Sequence, residues 1–143
     1  MLINNAIILI ISLCLNYFLM FKISPLYTHK RVLKTCVVLL FLLVVCAMTV
    51  NGFTDLGFDY ASPFALIYVS LFIIISTTIA NQLSAIIIGK IANFHQIYNV
   101  QNTEQFFLKL LITNQEKFKK NITIIWFLGS AIMLAGLYFG IHK

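Results

Sequence analysis

Charge of either sign is scarce in this chain, and negative charge is nearly missing. Its 143 residues include four Asp and Glu and ten Lys and Arg, together a tenth of the total. A soluble globular domain carries about a quarter charged residues and about half apolar ones. Here 61% of the residues are apolar. A globule of this size leaves about a third of its chain surface in contact with solvent, so it could not hide that excess. Lipid must cover the remainder, and the expected fold class is an all-α integral membrane protein.

Other scarcities narrow the chemistry. The three cysteines, Cys14, Cys36 and Cys46, fall in or beside apolar runs, with no CxxC spacing and no histidine cluster nearby. That argues against a disulfide framework or a metal site, because an isolated Cys in apolar surroundings behaves as a small hydrophobe. No ionisable residue lies in the middle of an apolar run, which speaks against a proton-coupled pump or a charged intramembrane active site. HExxH, GxSxG and P-loop motifs are missing, as is a Cys–His nucleophile pattern. His29 and His95 belong at one membrane edge and His142 at the other, which does not suit a haem held by two histidines. No metal and no cofactor is expected, and the chain does not read as an enzyme.

What the sequence does have is four long apolar runs. A membrane span needs about 20 such residues, and residues 4–21, 33–52, 63–89 and 121–141 supply them. The opening MLINNAIILI has neither a basic leader nor a cleavage motif, so it reads as a first span rather than a removable signal. Pro25 and a basic cluster end the first run. Ser62 and Pro63 suit the cap and first position of the third. A helix is also expected over 103–120. Asn102 or Thr103 would cap it, with Phe107, Leu110, Leu111, Asn114 and Phe118 on one face and lysines around them. Such a helix lies in the membrane interface or packs on the cytoplasmic end of the bundle.

Nine of the ten basic residues flank or fill the 22–34 and 90–120 loops. Basic loops stay in the cytoplasm, so both termini are expected on the extracytoplasmic side of an inner membrane. The other side keeps Lys143, with Asp55 and Asp59 in a loop that reads as solvated. Because the lysines are scattered between apolar runs, nucleic acid is not an expected partner.

The third run poses the sharpest question, since FIIISTTIANQLSAIIIGK places an Asn–Gln pair within it. Ser70, Thr77, Asn81 and Ser84 are spaced seven, four and three residues apart and form one helical stripe. Thr78, Gln82, Ala85 and Gly89 run beside it. An unpaired amide in hydrocarbon costs several kcal/mol, so this face should turn toward protein. Its expected neighbours are Ser12 and Asn16 on the first span and the small residues Gly129, Gly136 and Gly140 on the fourth, where close helix approach favours hydrogen bonding.

These features suggest a small protein that works by helix–helix contact, as an accessory subunit, assembly factor or immunity-type inhibitor. Its partners would be the bilayer and another membrane protein, or further copies of itself. A small oligomeric channel or carrier for an uncharged solute is the alternative, with the polar stripe along its path. A lipid- or quinone-handling enzyme using the edge residues His29, Arg31, Lys90 and His95 ranks third.

Overall fold

A computed structural model describes residues 2–26, 28–53, 63–98, 101 and 105–140. The expectations for Asp55, Asp59, Ser62, Asn102, Thr103 and His142 fall outside those residues. The described chain is helical, in five α-helices: α1 (Leu2–Tyr17), α2 (His29–Phe53), α3 (Pro63–Tyr98), α4 (Phe106–Thr113) and α5 (Gln115–Gly140). Four helical segments are long and apolar enough to cross a membrane: Ala6–Ile23, which takes in α1 and the turn after it, His29–Met48 in α2, Ala65–Tyr98 in α3 and Gln115–Phe139 in α5. The protein is a multi-pass helical membrane protein.

The end of α1 is not regular. It widens into a π-helical turn at Phe18–Ile23 and closes with a 3₁₀ turn at Ser24–Leu26, the Ser24 N–H bonding the Leu19 carbonyl. Pro25 explains this. Its ring clashes with the carbonyl four residues earlier and it donates no N–H, so the preceding turn cannot stay α-helical at no cost. The turn delivers Ser24 into the protein, where it is buried.

α3 is the central helix. Of its most apolar stretch 44% is buried, against 17% in α1 and α5 and none in α2. Tyr68 of α3 donates to the Leu43 carbonyl of α2 at 3.0 Å, and near the other end Gln82 meets His29, so these two helices run antiparallel. Ser70 pairs with Tyr138 and Asn81 with Thr123, which makes α3 and α5 antiparallel as well. The end of α1, the start of α2, the end of α3 and the start of α5 therefore gather at one end. That end carries the basic loops.

Two boundaries differ from expectation. α3 runs past Gly89 to Tyr98. One Gly in a helix costs only about 1 kcal/mol relative to Ala, and Ile91, Ala92 and Phe94 continue the apolar pattern, with Ala92 fully buried. At about 1.5 Å per residue, its 36 residues extend well beyond one hydrocarbon thickness. The helix expected over 103–120 is instead broken at Asn114. There α4 stops, and residues 115–120 form the first turns of α5. The Asn114 amide bonds back to the Leu110 carbonyl at 3.3 Å, the kind of local competition by which Asn ends helices. α4 buries Leu111 against α3 and α5 and leaves Phe106 and Phe107 exposed.

Candidate functional site

The inward face of α3 is polar over four turns. Ser70, Thr77, Thr78, Asn81 and Gln82 are all buried, and Ser84 is half-buried. Their hydrogen bonds divide into two kinds. Thr77 and Thr78 spend their hydroxyls on carbonyls of their own helix, at 2.8 Å to Ile73 and 2.7 Å to Ile74. The others reach across to neighbouring helices.

Gln82 is the most connected. Its Oε1 lies 2.6 Å from His29 Nδ1, and its Nε2 donates to Ser24 Oγ. A carbonyl oxygen only accepts, so His29 carries its Nδ1 proton here and donates it. One amide thus joins α1, α2 and α3. On the α5 side, Thr123 donates to Asn81 Oδ1 at 3.0 Å and Trp126 Nε1 donates to Ser84 Oγ at 3.1 Å. Farther along, Ser70 and Tyr138 share a 3.0 Å bond, and Asn16 of α1 donates to Ser130 at 2.5 Å. Tyr17 and Phe21 stack beside that junction and Phe127 meets both edge-to-face, with centroids 5.1 to 6.1 Å apart.

The face that α5 turns into the bundle, toward α3 and α1, is therefore Trp126, Ser130, Leu134 and Tyr138, one residue every four, with Thr123 a turn earlier. This adds two partners and corrects one expectation. Trp126 and Tyr138 are hydrogen-bonded into the bundle, and Tyr138 is buried. Gly129 and Gly136 do not face the polar stripe. They stand on the outer side of α5, where an added Cβ would meet nothing within 4 Å. The four-residue stripe dictates this, because Gly129 and Gly136 sit about a third of a turn or more from its centre and point away. Gly140 ends α5.

The four edge residues are dispersed as well. His29 turns inward to Gln82. Arg31 lines a separate groove of about 340 Å³ with Leu19, Ile23, Val32 and Thr35. Lys90 is exposed on α3, and His95 meets the Phe94 ring edge-to-face at 5.4 Å. No shared catalytic cluster arises from them.

Between α1, α3 and the start of α5, at the basic end, lies a cavity of about 380 Å³. Asn81, Gln82, Ser24, His29 and Thr123 form its polar wall, Met20, Phe21 and Ala85 its apolar wall, and Glu116, Lys119 and Lys120 its rim. The sequence pointed to Asn81, Gln82 and His29. It did not single out Ser24, Thr123, Lys119 or Lys120 for this site. The same-face rule applied to the fourth run would have found Thr123 beside Trp126 and Ser130; Ser24 owes its place to the π-turn, which no periodicity reveals.

No protein family matches the chain, and neither does any curated protein or solved structure.

Proposed function

We propose that this protein acts in an inner membrane by lateral helix–helix contact with another membrane protein, as an accessory subunit, assembly factor or immunity-type inhibitor. One observation carries the reading: Gly129 and Gly136 face outward from α5 with open space about them. Small residues matter in membrane helices where another backbone comes close, and among the described residues of this chain none does so there. The division of polar groups supports it. On α3, Ser70, Asn81, Gln82 and Ser84 bond groups of the other helices of the same chain, and Thr77 and Thr78 bond their own helix. The outward surface is left to Leu128, Ile132, Met133 and the two glycines on α5, and to an α2 without one buried side chain among its described residues.

Co-purification in a mild detergent tests the reading. The wild-type protein should retain one stoichiometric membrane partner, and Gly129→Leu with Gly136→Leu should release it while the bundle stays folded. A protein that elutes alone, or a partner retained by the double variant, would end the proposal.

A channel or carrier for an uncharged solute draws on the cavity at the basic end. Beyond that cavity, however, the Asn16–Ser130 and Ser70–Tyr138 pairs occupy the bundle interior. Solute uptake into proteoliposomes, compared with empty vesicles, separates this reading from the first.

A further inference from the structure

The cavity at the basic end is lined by more donors than the protein itself uses. Asn81 is 3% exposed and lines it, yet among the described residues only its Oδ1 is engaged, by Thr123. Its amide Nδ2 donates to no described group. Ser24 is 5% exposed and accepts from Gln82, leaving its own hydroxyl proton undirected. Neither atom is stranded in the protein, since the one buried side-chain polar atom without a partner among the described residues is Asn16 Oδ1; both donors open onto the cavity and can serve an acceptor there. At the rim stand two ammonium groups, Lys119 and Lys120, against a single carboxylate. That carboxylate, Glu116, bonds Lys119 at 2.8 Å from a largely exposed position. The lining therefore stays positive.

We propose that this cavity binds a phosphate group, presented by an anionic lipid or by a small phosphate ester. Several donors converging on one volume suit an anion with several acceptor oxygens, and charged donors make the stronger bonds. Basic pockets between membrane helices hold lipid headgroups in this manner. Met20, Phe21 and Ala85 give an apolar wall that suits an acyl portion. This site is independent of the outward faces of α2 and α5, so either proposal stands without the other.

The test uses the full chain in mild detergent, with native mass spectrometry against four probes: phosphatidylglycerol, the phosphate-free lipid diacylglycerol, glycerol phosphate and inorganic phosphate. Phosphatidylglycerol is expected to bind saturably, one per chain, and more tightly than diacylglycerol. Lys119→Gln with Lys120→Gln should weaken it about tenfold or more, since at least one charged bond is lost. Ser24→Ala should weaken it less. Lys117→Gln, which removes a charge outside the cavity, should leave it unchanged. Displacement by glycerol phosphate or inorganic phosphate supports a soluble phosphate as the occupant, and resistance to both supports the lipid. Equal binding of the two lipids, equal effects of the Lys117 and Lys119/Lys120 changes, or no saturable binding of any probe to folded protein would overturn the proposal.

Discussion

Asn16 on α1 and Ser130 on α5 meet at 2.5 Å with side chains 0% and 1% exposed. The amide nitrogen is satisfied and the amide oxygen is not: Asn16 Oδ1 is buried without a partner among the described residues. Ser130 passes its own proton to the Phe127 carbonyl at 2.7 Å. Ser130→Ala would strand the whole amide and should lower unfolding stability by about 1–2 kcal/mol. Asn16→Leu with Ser130→Ala removes both polar groups and should recover most of that loss. A double-mutant cycle in mixed-micelle denaturation measures it; a double variant as unstable as the sum of the singles would show no coupling.

The two kinds of polar residue on α3 should respond differently. Gln82→Leu cuts the bonds to Ser24 and His29 together and should cost about 1–2 kcal/mol. Thr77→Val removes a hydroxyl bonded only to its own helix, whose carbonyls keep their backbone partners, so the cost should stay below about 0.5 kcal/mol. The same denaturation assay ranks them. Equal losses would mean that burial alone, not the cross-helix bonding, sets the stability of this face.

Gly129 gives a prediction of opposite sign. An added methyl meets nothing within 4 Å, and Ala is the better helix former by up to about 1 kcal/mol. Gly129→Ala should therefore hold or raise the stability of the isolated chain, and the larger Gly129→Leu should leave it folded. Partner retention should nonetheless fall with the bulk of the side chain. Stability and co-purification are read separately, so a variant that loses both together would place Gly129 inside the bundle and contradict its observed position.

These contrasts show which features a sequence of this kind makes legible. Span number is a property of composition along a line, and four runs of about 20 apolar residues become four helices because nothing else covers them. The inward face of α3 follows from spacing alone, since the cost of an amide in hydrocarbon leaves Asn81 and Gln82 one direction to point. What lies opposite them depends on how the helices slide and rotate, which no local pattern records. Hence Tyr138 and Trp126 resemble belt residues by type and turn out to be hydrogen-bond partners. Gly129 and Gly136 resemble packing residues and face outward. The Asn114 break and the π-turn before Pro25 are local in origin, yet each depends on a balance of about 1 kcal/mol that neighbouring contacts decide.

Orientation supplies the last prediction, and charge is its whole basis. Lys90 and Lys117 are exposed residues at the basic end, one on α3 and one at the start of α5. Short loops rich in Lys and Arg are retained in the cytoplasm, and nine of the ten basic residues of this chain flank or fill the two loops at that end. In a background with Cys14, Cys36 and Cys46 replaced, Lys90→Cys and Lys117→Cys should resist a membrane-impermeant maleimide in intact cells. Both should react once the membrane is permeabilised. Reaction at both sites in intact cells would invert the topology and place the phosphate-binding cavity on the extracytoplasmic face, with access to the other leaflet's lipids.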